Sequence, residues 1–254
     1  MSWAMRRRGV VAAIVVVFLV LVGIWGYFAF LHDEPSCSDH RQNKNEEGID
    51  CGGVCARLCA PSLAPPKVSF VRPVTSGPGR TDVIAYIENP NLSAEAMGAH
   101  YIIELYDGNN TVVAKKTGVV DLLPKRNPLF VPNFFSGDAT SLRAFLTFDE
   151  EYPLDWWRYD DTRVTLSVRD VVIEHADTLP RIRAVIENPS TNRYKNIPVV
   201  ITVFDEKDNA IAASQTVVPT LASEGRADLI FTWNAPFAGT AVREEILPIL
   251  PEPS

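Results

Sequence analysis

Two hydrophobic patterns divide the chain. Residues 9–31, GVVAAIVVVFLVLVGIWGYFAFL, run for 23 positions without a charge. A helix of that length crosses a hydrocarbon core of ~30 Å with some tilt. Beyond residue 67 the apolar residues come in short groups instead. VIAYIE (83–88) and RAVIE (183–187) are read as alternating strands that stop at Asn-Pro, a turn signal. HYIIELYD (100–107) and VVITVFD (199–205) are rich in β-branched and aromatic residues and run into DGNN and DEKDN, which suit hairpin turns. RVTLSVRDVVIE (163–174) and ADLIFTW (227–233) supply further strands. Beyond the apolar run, no long segment has a helical period.

The strand groups recur. VRPV at 71–74 matches VRDV at 168–171, YIENPN at 86–91 matches VIENPS at 185–190, and YIIELYDGNNTVVA at 101–114 matches VVITVFDEKDNAIA at 199–212. The offsets are 97, 99 and 98, so two homologous units follow in tandem, the drift falling in loops. Short strands at regular spacing over ~100 residues predict a sandwich of immunoglobulin-like type. The expected fold is therefore mainly β, with an N-terminal transmembrane helix, a small disulfide-tied module and two tandem immunoglobulin-like β-sandwiches. Neither unit contains cysteine, so each core rests on apolar packing. The expected layout is a stub (1–8), the span (9–31), a cysteine-rich module (32–59), a proline-rich semi-rigid stalk (60–67), sandwich one (68–150), a connector (151–162) and sandwich two (163–254).

Arg6, Arg7 and Arg8 precede the apolar run and HDEPS follows it. The positive-inside bias puts the N-terminus in the cytoplasm and the body outside, with Trp25, Tyr27 and Phe28 at the outer interface. A cleaved signal peptide is the competing reading. Its apolar region is ~7–15 residues with a small-x-small site after it, whereas this run is longer and Ala29 stands alone between Phe28 and Phe30. A retained single-pass anchor is expected. Removing the three arginines from the net charge of -7 leaves -10 for the rest, with no basic stripe, which argues against nucleic acid as a partner.

Cys37, Cys51, Cys55 and Cys59 stand with gaps of 13, 3 and 3 residues. Outside the cytoplasm such a cluster reads first as two disulfides, with three pairings open. Zinc ribbons and thioredoxin-like centres use a two-residue gap, absent here. So small a segment cannot bury a core, and covalent links must hold it. Asp39, Asn43, Asn45, Glu46, Glu47 and Asp50 place hard oxygen donors between the first two cysteines, a candidate calcium set (Asp39, Asn43, Asn45, Glu47, Asp50) without EF-hand spacing. The alternative is a solvated acidic loop, with no cofactor at all.

Enzyme motifs are absent. His32, His40, His100 and His175 lie near no nucleophile elbow, metalloprotease helix or phosphate loop. Asp149, Glu150 and Glu151 read as a solvated run, so no catalytic residue is assigned. Recognition is assigned to YPLDWWRYDD (152–161), whose Trp156, Trp157 and Tyr159 can stack on sugars or anchor a protein interface. The competing reading packs the two tryptophans between the sandwiches. Phe130, Phe134 and Phe135 read as core and turn packing. Asn91 and Asn109 lie in N-x-S/T sequons.

Two resemblances follow from these residues. CSDHRQNKNEEGIDCGGVCARLC resembles the C-x-D-G-x-x-N-x-x-E-x-x-x-D-C-G-G-x-C-x-x-C segment of exported bacterial surface proteins, especially single-pass hypothetical proteins of candidate-phyla bacteria. Asp39, Asn43, Glu46 or Glu47, Asp50, Cys51, Gly52, Gly53 and Cys55 match, His40 replaces a glycine, and the last cysteine gap is one longer. ENP followed by IELYD or ITVFD resembles FxLYD and late-embryogenesis-abundant-type sandwiches through Ile103, Leu105, Tyr106 and Asp107, and Ile201, Val203, Phe204 and Asp205. The resemblance implies exported modules without catalysis. The functional expectation is a membrane-anchored, extracytoplasmic, non-catalytic protein that binds an envelope protein or a glycan. Its alternatives are a scaffold subunit of an envelope assembly, using strand addition at a sheet edge, and, third, a membrane-bound enzyme.

Overall fold

A computed structural model describes residues 3–30, 37–43, 45–137, 141–159 and 164–250. Within the helix, side chains are described for residues 8–28. Two compact units result, residues 1–59 and 60–254. In the first, α1 (Trp3–Phe30) is one uninterrupted helix, about 42 Å long at 1.5 Å per residue. It starts earlier than the apolar run and includes the three arginines. Its stretch Arg8–Phe28 has a mean hydropathy of 2.8 and is long and apolar enough to cross a membrane. Leu31 lies outside the described residues.

The second unit is mainly β. Its strands are β1 (Lys67–Gly77), β2 (Arg80–Asn89), β3 (Ala94–Tyr106), β4 (Val112–Leu122), β5 (Lys125–Ser136), β6 (Arg143–Phe148), β7 (Asp155–Arg158), β8 (Ser167–Glu174), β9 (Arg181–Glu187), β10 (Tyr194–Phe204), β11 (Ala210–Leu221), β12 (Arg226–Thr232) and β13 (Arg243–Pro248). Sheets β1-β2-β5 and β4-β3-β6 form the first sandwich; β8-β9-β12 and β11-β10-β13 form the second, in the same order and all antiparallel. The tandem repeat is thus a repeat of topology, strand for strand. The exception is β7, which pairs with the start of β3 on the edge that β6 occupies further along. Residues expected to connect the sandwiches therefore prolong an edge strand of the first.

The repeated motifs do structural work. In ENP, Asn89 donates from Nδ2 to the carbonyls of Ala94 and Leu122, at 2.7 and 3.1 Å, and accepts from the Asn91 amide. Asn188 does the same with Asn192, Ala222 and Ser190. Both are almost fully buried, so each side-chain amide needs, and finds, carbonyl partners inside the fold. Asp107 and Asp205 cap the β3–β4 and β10–β11 hairpins, each accepting two loop amides at its Oδ1. Asn110 and Asp208 take the left-handed backbone that such a loop needs. Segment 60–67 is not a free extended stalk. It opens with one 3-10 turn, Ala60–Ser62, and Asn91 holds Ala64 at both its amide and its carbonyl.

Burial corrects the alternation read into VIAYIE. Thr81–Ile87 are all buried, whereas the equivalent strand β9 alternates cleanly. Likewise Val199–Phe204 of β10 are all buried, while β3 alternates from Ala99 to Tyr106. The cause is that sheet β1-β2-β5 lays its outer face on the outer face of β11-β10-β13. Val74 and Ile84 cluster there with Val200 and Ala213, flanked by Phe70, Phe130 and Ile249. The Tyr86 hydroxyl lies 2.8 Å from Thr202 Oγ1, Phe70 meets Phe204 at 6.2 Å, and Arg126 reaches Glu245 at 2.8 Å. A strand covered on both sides is apolar throughout, which is the pattern of a buried sheet rather than a half-exposed one.

Thr202 is fully buried, so Tyr86→Phe orphans its hydroxyl and should cost about 1–3 kcal/mol, part of which Tyr86→Phe/Thr202→Val recovers in a double-mutant cycle. Additive costs would contradict the bond. Desolvation pushes the Tyr86 hydroxyl up to about 12 from 10.0, the Thr202 bond opposing it. A folded-state pKa above the unfolded one gives stability that is present below pH 10 and lost as pH climbs to 12. Unfolding curves across that window should show a smaller loss in Tyr86→Phe than in the wild type, the remainder coming from Tyr101 and Tyr106, whose hydroxyls are also pushed up.

Candidate functional site

Three places carry the residues singled out from the sequence. The first is the cysteine segment. The disulfides are Cys37–Cys55 and Cys51–Cys59, an interleaved pairing that ties residues 37–59 into one knot. A bridge spanning 18 residues constrains the unfolded chain by roughly 3 kcal/mol on the loop-entropy account. Gly53, at φ 58°, lies so close to the Asn45 carbonyl that a Cβ would overlap it, and one on Gly48 would come 2.9 Å from the Cys51 sulfur.

Three of the candidate calcium donors, Asp39, Asn43 and Asp50, bond within the segment through their side chains. Asp50 accepts the His40 amide at both oxygens and His40 Nδ1 at 3.0 Å. Asp39 accepts the Arg41 amide and Asn43 Nδ2, each at 2.9 Å. The Asn45 carbonyl accepts the Val54 amide, and Glu47 lies over Gly52. Glu46, buried like Asp50, accepts the Asn43 amide at Oε2. Its Oε1 lies 3.3 Å from Cys55 Sγ. Cys37, Glu46 and Cys55 converge, but both sulfurs are spent in a disulfide and offer no thiolate to a metal.

The second place is the outer face of β4-β3-β6 with β7. Along β3, Ala99, Tyr101, Ile103 and Leu105 are buried, so His100, Ile102, Glu104 and Tyr106 point outward. His100 stacks on Tyr152 with ring centroids 4.0 Å apart. Phe145, opposite Glu104, meets Tyr106 edge-on at 5.5 Å. Trp156 pairs with Ala96 and is buried, which turns its neighbour Trp157 outward. Trp157 donates from Nε1 to Asp155 and is 39% exposed; Tyr152 and Phe145 are 51% and 53% exposed. Glu104 accepts Lys115 at 3.1 Å and the Tyr106 hydroxyl at 2.9 Å. Those bonds lower the Glu104 pKa, the tyrosine first, and raise that of Tyr106.

The third place is a cleft of about 460 Å³ between the sandwiches, lined by Leu92, Leu123, Tyr159, Leu166, Val168 and Ile246 among others. Tyr159 belongs here, its amide on the Ser93 carbonyl. The trio Trp156, Trp157 and Tyr159 is thus dispersed into core, outer face and cleft, because a strand alternates and the chain then turns away. The packing between sandwiches that the competing reading gave to the tryptophans runs through Ile84, Tyr86, Val200 and Phe204. Phe145 and the His100–Tyr152 stack were not singled out in the sequence. Phe145 becomes visible only when RAFLTF is read as an alternating strand with Leu146 inward. Phe130 joins the contact between sandwiches, whereas Phe134 is buried beneath Lys116.

No family model and no curated protein matches the chain. Among solved structures, a red sea bream transglutaminase is 12% identical with a TM-score of 0.23 over 74% of this chain and 31% of that one. The calcium-binding domain CBD12 of CALX1.1 is 12% identical with a TM-score of 0.21, covering 72% and 81%. A β-glucuronidase of glycoside hydrolase family 2 is 11% identical with a TM-score of 0.22, covering 67% and 24%. The chain spans about a third of the transglutaminase and a quarter of the glucuronidase. Likeness at this level carries no argument about function.

Gly53→Ala should prevent the knot from closing in register, because the added methyl and the φ of 58° both oppose it. Disulfide mapping should then find scrambled pairs or free thiols. Native pairing at wild-type yield would contradict the geometry.

Proposed function

We propose that the chain is a single-pass, membrane-anchored binding protein without catalytic activity. In this reading its N-terminus is cytoplasmic and the knot and sandwiches stand outside. Support for the anchor comes from a helix apolar on every side from Gly9 to Phe28, flanked by arginines at one end. Support for export comes from four cysteines all paired. The three described histidines stack on a ring, bond Asp50, or close a turn, as His175 does with Thr178. Descent from exported FxLYD-type modules agrees with the hairpin-capping Asp107 and Asp205.

The binding surface is the outer face of β4-β3-β6 with β7. One observation carries this assignment: in the second sandwich the equivalent face, that of β11-β10-β13, is the one already covered by a neighbouring sheet. The first sandwich presents Trp157, Phe145 and the His100–Tyr152 stack on the same surface, which no other described strand of its unit covers. Aromatic anchors of this kind dominate binding energy in protein interfaces and stack on sugar rings. The partner is an envelope protein or a glycan. The knot is a covalent spacer whose carboxylates hold its own loops rather than an ion.

Cross-linking in native membranes should capture a partner with the wild type, and Trp157→Ala or Phe145→Ala should lose it with melting unchanged. A fall in melting by several degrees would make these residues packing residues and overturn the assignment. Melting of the oxidised chain should not respond to a calcium chelator. A chelator-induced fall would contradict the spacer reading, since a ligand of the native state must stabilise it.

A further inference from the structure

The contact between the sandwiches joins two different surfaces of one repeated module: the outer β1-β2-β5 face of the first copy on the outer β11-β10-β13 face of the second. Such a head-to-tail contact does not close on itself. Among the described residues of this unit, one surface of each kind is therefore left unused, β4-β3-β6 and β8-β9-β12. A chain built this way can in principle add to itself without limit.

Strand registers identify the residue that each copy holds at the same place. Ile84 lies opposite Phe130 and Arg72, and Arg183 lies opposite Ile230 and Val172. Arg183 therefore occupies the place of Ile84, and by the same register Glu174 occupies that of Val74. Thr202 lies opposite Ala213, and its counterpart Glu104 lies opposite Lys115. Among the residues of the internal contact, Val74 and Ile84 on one side and Thr202 and Ala213 on the other have counterparts that form two ion pairs on the unused faces. Arg183 bonds Glu174, and Lys115 bonds Glu104 at 3.1 Å. The arginine that crosses the internal contact, Arg126, corresponds to Arg226, which turns back to Glu187 on its own sheet.

We propose that these two ion pairs, Glu104–Lys115 and Glu174–Arg183, are end caps that stop the head-to-tail contact at two sandwiches and exclude a second copy of this chain from both outer faces. To stack as the internal pair does, another molecule would have to bring Glu104–Lys115 of one copy onto Glu174–Arg183 of the next and bury all four charges together. The two partly exposed ion pairs would lose their water, and their attraction for each other repays that loss only where the geometry is excellent. Charged end surfaces serve the same purpose in repeat proteins, whose terminal modules must stay soluble. The aromatic surface around Phe145 and Trp157 is thereby kept for a different molecule, although the caps stand whether or not that surface binds one.

The test is sedimentation velocity of the detergent-solubilised full chain, from about 10 µM towards the ~1 mM that a short linker provides between tethered modules. Wild type should keep one protein mass throughout. Glu104→Thr/Lys115→Ala/Glu174→Val/Arg183→Ile, which copies the internal contact onto both ends, should roughly double its weight-average mass or exceed that as concentration rises. Either pair replaced alone should stay at the wild-type mass, because the opposite face remains capped. Concentration-dependent growth of wild type, or a fourfold variant with native circular dichroism and constant mass, overturns the proposal. Should the fourfold variant not fold, the reverse exchange decides. Thr202→Glu/Ala213→Lys places a cap inside the internal contact, and spin labels at Asn109→Cys and Asp177→Cys should pass from one narrow distance to a broad distribution. An unchanged narrow distance overturns it equally.

Discussion

The architecture of the β unit depends on one contact, the burial of sheet β1-β2-β5 against sheet β11-β10-β13. It removes from water the outer faces of two central strands that would otherwise be solvated on one side. Ile84, Val200 and Ala213 supply apolar area there, and the hydroxyls of Tyr86 and Thr202 satisfy each other in the middle of it. A buried hydroxyl pair of this kind adds little net stability but is costly to break on one side only, so it fixes register between the sheets. Arg126 with Glu245, and Arg243 over the Phe204 ring at 3.8 Å, close the rim. The consequence is a single body of four stacked sheets rather than two beads on a linker.

How much of this the sequence disclosed follows from period. The tandem repeat, the all-β character and the hairpins after LYD and VFD were legible because strand alternation and turn chemistry are local. The contact between copies was not, because it depends on what covers a strand rather than on the strand itself. Its signal was nonetheless present. VIAYI in β2 and VVITVF in β10 are apolar at successive positions, unlike RIRAVIE in β9. VIAYIE, taken as an alternating strand, concealed the second buried face of β2. The same oversight placed Trp156 and Trp157 together, whereas adjacent strand residues must part to opposite faces. Cysteine spacing announced a disulfide knot but left the pairing open, since loop closure alone does not choose between partners so close in sequence.

Duplication explains how one module acquires two roles. Both copies keep the residues that make the fold, among them the buried Asn89 and Asn188 and the capping Asp107 and Asp205. They diverge on their outer faces, where Ile84 stands against Arg183 and Thr202 against Glu104. Fold and interface are thus encoded by alternate residues of the same strands, so either can change without the other. The aromatic surface of the first sandwich, at Phe145, Tyr152 and Trp157, lies on the face whose twin is used internally. Its assignment as the binding surface grows from that equivalence.

The central claim is that the two sandwiches move as one body through the Tyr86–Thr202 contact. Residual dipolar couplings of the backbone amides, measured on the full chain in weakly aligned detergent solution, test it most directly. A single alignment tensor should fit β1–β7 and β8–β13 together, with the sheets oriented as described. Two tensors of different magnitude, one for each sandwich, would mean independent modules and would contradict the account.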